Sequence, residues 1–84
     1  MNNKIIIEVY VPQLETAYDV FIPINLTIND IIKLINKSIS DLTGGNFIFN
    51  NQMRLYNRDT GLEVDYKNIV KDSGLKNGSK VILI

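Results

Sequence analysis

The sequence predicts a single α+β domain over residues 1–84, a mixed sheet of order ββαβββ with one helix packed on one of its faces. Three observations carry that expectation. The chain has 84 residues, of which 45% are hydrophobic, enough for one core but, below about 100 residues, not for two. Apolar residues alternate with period two near both ends, the spacing of half-buried strands. Between them lies one stretch in which the period changes to 3.6, the spacing of a helix that buries one stripe.

The elements follow in order. In "KIIIEVYV", residues 4 to 11, Ile5, Ile7, Val9 and Val11 fall on one face and Ile6, Glu8 and Tyr10 on the other. After the turn-like "PQLETA", "YDVFIPI" sets Tyr18, Val20, Ile22 and Ile24 against Asp19, Phe21 and Pro23. The pair predicts a β-hairpin whose second strand ends, or lies at an edge, at Pro23, because proline has no N–H for a central ladder. In "LTINDIIKLINKSISDL" a stripe of Ile28, Ile31, Ile32, Ile35, Ile39 and Leu42 predicts a helix from Ile28 to Leu42. Thr27 is placed to cap it, and Asp30 to favour the positive end of its dipole. Gly44 and Gly45 end it with a left-handed cap. "NFIFNNQ" is a loop whose Phe47, Ile48 and Phe49 either roof the core or contact a partner.

"MRLYN", 53 to 57, predicts a third strand with Leu55 inward and Arg54 and Tyr56 outward. "RDTG" turns it into a short fourth strand around Leu62 to Val64. A 3₁₀ or helical turn near Ile69 and Val70 precedes a final central strand, "SKVILI", with Val81 and Leu83 facing the core and Ile82 and Ile84 facing away.

Composition excludes several function classes. Nine Lys and Arg balance nine Asp and Glu, so no net field favours nucleic acid or an anionic membrane. With no cysteine and no histidine, the chain builds no disulfide, thiolate nucleophile, Cys/His zinc site or imidazole base. The N-terminal apolar run is broken by Glu8, which is too soon for a signal peptide or a membrane span. A cytoplasmic protein, at most peripheral to a membrane complex and not inserted in one, is the expectation. Abundant Ile and Asn beside a single alanine, Ala17, point to an AT-rich, low-GC bacterial genome. Asp59, Glu63 and Asp65 do not match the twelve-position calcium loop. Ser73 has no histidine, and no lysine at a motif spacing, to activate it. No catalytic, metal or cofactor site is expected.

A hairpin, one diagonal helix and a last strand returning to the centre is the arrangement called the β-grasp. "LTINDII" resembles the start of ubiquitin's helix, "MRLYN" its third strand, and "IVKDSGLKNGSKVILI", with its Asp72-x-Gly74-Leu75-x-x-Gly78 pattern, the segment leading into its final strand. Among bacterial proteins the chain most resembles the YukD/EsaB family, small ubiquitin-like proteins associated with type VII (ESAT-6/WXG100) secretion in Gram-positive bacteria. The "GGNFIFNN" connection is longer than in those relatives.

The resemblance implies a non-enzymatic, non-covalent accessory or regulatory component that binds membrane or ATPase subunits of a type VII secretion system, as a monomer or weak dimer. It also places Arg54, Tyr56, Ile82 and Ile84 where ubiquitin builds the apolar patch read by its receptors, with Ile6 and Tyr10 on the same outer face. Such a group, apolar with a tyrosine and an arginine, has the composition of an interface centre. Two alternatives are an adaptor unrelated to secretion and a truncated covalent modifier or sulfur carrier. The latter needs a flexible Gly-Gly end where this sequence has Ile84, and conjugation is therefore not expected.

Overall fold

The computed structural model describes residues 3–84. Strands β1 (Lys4–Val11) and β2 (Thr16–Pro23) form an antiparallel hairpin, and helix α1 (Ile28–Leu42) follows. Strands β3 (Leu55–Asn57) and β4 (Ser79–Leu83) complete a four-stranded sheet of order β2-β1-β4-β3. β4 runs parallel to β1 and antiparallel to β3, so the last strand does take the centre. Pro23 ends β2 at the sheet's edge, where its missing N–H costs no ladder bond.

The expected strand at Leu62–Val64 is absent as a strand. It survives as a single bridge, Tyr56 to Glu63, flanked by Asn57 N–H donating to Leu62 O and Val64 N–H to Leu55 O, both at 2.8 Å. The intervening turn is tight: Asn57 Oδ1 accepts the N–H groups of Asp59 and Thr60. Beyond it Val64 sinks into the core and Asp65 Oδ1 accepts Lys67 N–H, starting a new turn before a ladder can extend.

Helix α1 starts as its sequence predicts, with Thr27 Oγ1 accepting Asp30 N–H at 3.2 Å. Isoleucine is a poorer helix former than alanine by a few tenths of a kcal/mol, whereas burying one gives about 1.5–3 kcal/mol. Packing therefore decides. Ile28, Ile31, Ile32, Ile35 and Ile39 are buried against Ile7, Val9, Val11, Ile22, Leu55, Val81 and Leu83 of the sheet. Leu42, expected on that stripe, is 72% exposed. The chain reverses just beyond it, and the residue brought back into the core is Phe47, whose N–H donates to Thr43 Oγ1. Gly44 and Gly45 have φ of 64° and 86°, and their N–H groups bond Asp41 O and Ser40 O, a pairing open to residues that tolerate left-handed backbone.

Two further ties position the sheet. Residues 66–71 run beside the helix start, with Ile28 N–H donating to Asn68 O, Asn29 N–H to Tyr66 O and Val70 N–H to Leu26 O. Asn77 fixes the parallel register, its Oδ1 accepting Ile6 N–H at 2.9 Å while Gly78 N–H donates to Ile6 O.

Between β1 and β2, Glu15 adopts a left-handed conformation, φ 51° and ψ 39°, which costs an L-residue with a side chain roughly 1–2 kcal/mol. Glycine offsets part of that relief by a freer unfolded chain. Glu15→Gly is expected to raise unfolding free energy by about 0.5–1 kcal/mol, measured by urea denaturation; an unchanged or lower midpoint would contradict the strain.

Candidate functional site

With α1 on one face of the sheet, the other face is left to solvent, and the strand registers decide which residues meet there. Residues directly opposite in neighbouring strands share a face. Tyr10 pairs with Ile82 across the parallel ladder, and Ile82 with Tyr56 across the antiparallel one. A Tyr10–Ile82–Tyr56 row thus crosses three strands. Its members are half-buried, whereas their chain neighbours Val9, Val11, Val81, Leu83 and Leu55 are buried on the helix side.

Ile84 adjoins this row. It exchanges backbone hydrogen bonds with Arg54, at 2.7 and 3.1 Å, and is 54% exposed. Arg54 is aligned with Ile84, but its guanidinium lies 4.6 Å from the centre of the Tyr66 ring and donates to the carbonyls of Asn51 and Met53. The charge expected beside the apolar row is therefore held against Tyr66 and the preceding loop. Ile6 lies apart from the others. Between it and Tyr10 runs a charged row, in which Glu8 pairs with Asp19 on one side and Lys80 on the other. Ile6 instead pairs with Phe21, which is 68% exposed.

The sequence reading missed two residues that matter on this face. Arg58 donates to Glu8 Oε2 at 3.1 Å, and its guanidinium carbon lies 4.8 Å from the centre of the Tyr10 ring. Its backbone N–H is bound to Lys80 O, so the side chain reaches from the end of β3 over β4 to β1 and borders the apolar row. The signal was the continued alternation Arg54, Tyr56, Arg58. Phe21 lies on the side of β2 opposite Val20 and Ile22, and the hairpin register makes it the partner of Ile6.

The residues considered for chemistry have local structural roles. Ser73 Oγ donates to Val70 O at 2.6 Å and accepts Leu75 N–H at 3.2 Å, closing a turn. The loop divides between its two expected roles: Phe47 roofs the core, while Ile48 and Phe49 are exposed. Ile48 is tied at its backbone, exchanging two 3.0 Å hydrogen bonds with the Gln13 carboxamide.

No protein-family model and no curated protein matches this sequence. Solved structures do. The chain overlays along 100% of its length on 94% of a chain from a structure of molecular mimicry of SUMO that promotes DNA repair, with TM-score 0.76 and 19% identity. It matches the ubiquitin-like domain of an Arabidopsis thaliana protein with TM-score 0.71 and 18% identity, over 99% of this chain and 78% of that one. The fold is ubiquitin-like. A third match, with TM-score 0.72 and 11% identity, is to a chain of the MycP5-free ESX-5 inner membrane complex, where 99% of this chain spans 21% of the other. At these identities the likeness is one of fold.

Arg58 and Glu8 are both partly exposed, 40% and 31%, so their pair is screened by solvent and worth at most about 1 kcal/mol. A double-mutant cycle with Glu8→Gln and Arg58→Met is expected to give a coupling of about 0.2–1 kcal/mol that shrinks in 1 M salt. A salt-independent coupling would point to packing rather than charge.

Proposed function

We propose that this chain is a non-enzymatic, ubiquitin-like module that binds another protein non-covalently through the outer face of its sheet. The observation carrying this reading is the Tyr10–Ile82–Tyr56 row with exposed Ile84 beside it, apolar and aromatic, and bordered by Glu8, Arg58 and Lys80. Tyrosine on a rigid strand presents large contact area at little entropic cost, and a charged border around an apolar centre is the usual build of a recognition surface. The residues assigned to binding are Tyr56, Ile82, Ile84 and Tyr10, with Arg54 at the margin and Ile6, beside Phe21, as a separate outlying contact.

The partner we propose is a membrane or ATPase subunit of a Gram-positive type VII secretion system, with this chain as an accessory or regulatory component in the cytoplasm. Two things support that choice. The motifs at residues 26–32, 53–57 and 69–84 resemble those of ubiquitin, and among bacterial proteins the chain as a whole most resembles the YukD/EsaB family; the same fold occurs within a chain of the ESX-5 inner membrane complex. No helix among the described residues is long and apolar enough to cross a membrane, and attachment in this reading is through protein contact.

Tyr56→Ala and Ile82→Asp are each expected to abolish pull-down of the machinery's subunits from a Gram-positive cell that carries the system, while the melting temperature moves by no more than a few degrees. The choice of half-buried outward residues makes the second part achievable, since large destabilisation comes mainly from core sites. Undiminished capture by both variants would remove this face as the docking surface. Capture of other proteins, but of no secretion subunit, would leave an adaptor of a different system.

A further inference from the structure

The sequence contains a single Asn-Gly step, Asn77–Gly78, and it stands at the entrance to β4. Asparagine before glycine is the pairing most prone to lose its side-chain amide. Glycine has no side chain to keep its own nitrogen from the carboxamide carbon, and it bends freely enough to close the ring. Both residues are exposed, so water and base reach them.

The fold nevertheless holds both reacting groups. Gly78 N–H donates to Ile6 O at 2.9 Å, and Asn77 Oδ1 accepts Ile6 N–H at 2.9 Å. The nucleophile is the Gly78 nitrogen after loss of its proton, and that proton is shared with a carbonyl of β1. The electrophile is the Asn77 carboxamide carbon, whose oxygen is fixed by the same residue of β1. Attack therefore requires Ile6 to release both groups, which parts β4 from β1 just ahead of their first paired residues, Ile7 and Ser79. The two strands are central in the sheet, and openings of central elements are the rarest.

We propose that Asn77–Gly78 is a modification site gated by the β1–β4 pair, silent while the strands are joined and cyclising when they part. In the open state base removes the Gly78 proton and the nitrogen attacks Asn77 Cγ. The bond from Cγ to the side-chain nitrogen breaks, releasing ammonia and leaving a cyclic imide. Water then opens the imide at either carbonyl, so that amide and water become acid and ammonia overall. Opening at Cγ gives aspartate, whose carboxylate still accepts Ile6 N–H. Opening at the other carbonyl gives isoaspartate, in which the main chain runs through Cγ and gains one carbon. That carbon enters the turn in which Ser79 N–H donates to Lys76 O and Ser79 Oγ accepts Lys76 N–H. The lengthened turn no longer brings Gly78 N–H and the residue 77 acceptor to Ile6 together, and the register they set is lost. Because β4 also places Ile82 between Tyr10 and Tyr56, a transient opening becomes a permanent loss of the outer row without a change to any residue in it.

The full chain is incubated in mildly alkaline buffer, folded and, in parallel, unfolded in guanidinium chloride, and conversion at each asparagine is followed by peptide mapping with mass spectrometry. In the unfolded sample Asn77 is expected to convert ahead of every other asparagine. In the folded sample its conversion is expected to be at least about tenfold slower, as the rarity of the opening requires. The aspartyl and isoaspartyl chains are then refolded, separated chromatographically and compared with Asn77→Asp. The aspartyl chain and Asn77→Asp should keep hydrogen-exchange protection at the Ile6 and Gly78 amides and melt within a few degrees of the parent. The isoaspartyl chain should lose protection at both amides and melt about 4 °C or more lower, or fail to refold. A smaller slowing on folding, another asparagine reacting first in the unfolded chain, loss of Ile6 protection in Asn77→Asp, or an isoaspartyl chain with the parent's protection and melting temperature would each overturn the proposal.

Discussion

A sheet has two faces and the described residues form one α-helix to cover them, and that constraint shapes most of the molecule. The five isoleucines that α1 buries need an apolar surface opposite, and the inward residues of β1, β3 and β4 supply it. Alternation along each strand then sends every second residue to the uncovered side. The identity of those residues is not dictated by the core, which makes the outer face the place where a binding surface can be written without rebuilding the fold.

The central parallel pair of β1 and β4 is the means by which the constraint is met. Strands from opposite ends of the chain become neighbours, and their register is set locally by Asn77 and Gly78 at Ile6. A shift of one residue would exchange the buried Val81 and Leu83 for Ile82 and Lys80, so register and burial enforce each other. The same pairing places Ile82 between Tyr10 and Tyr56. Fold and candidate surface thus share one determinant.

The residues between Gly44 and Arg54 follow a different logic. Phe47 enters the core and the Gln13 carboxamide holds Ile48 by its backbone, while Phe49 stays half exposed beside a groove that Asn36 and Lys33 also line. The chain thus presents two uncovered surfaces of different chemistry, an aromatic row on the sheet and a cationic groove beside the helix. Arg54 adjoins both: its backbone belongs to the ladder with Ile84, and the residue also lines the groove.

Much of this was written in the sequence because it rests on local periodicity. The limits of α1, the Thr27 cap, the inward and outward faces of β1, and the edge position of Pro23 all follow from residue spacing, and the structure keeps them. What required the tertiary structure was anything that depends on where an element stops or on what lies across from it. Leu42 fits the helical stripe yet has no sheet beneath it, and Leu62–Val64 alternates like a strand yet pairs only once. Asn36 is polar by composition and buried by position. Ile6 shares a face with Tyr10, but a charged row divides them, while Arg58, overlooked, borders the row. Periodicity gives the direction of a side chain, since it is a property of the local backbone. Neighbourhood is a property of strand register and chain reversal, which only packing settles.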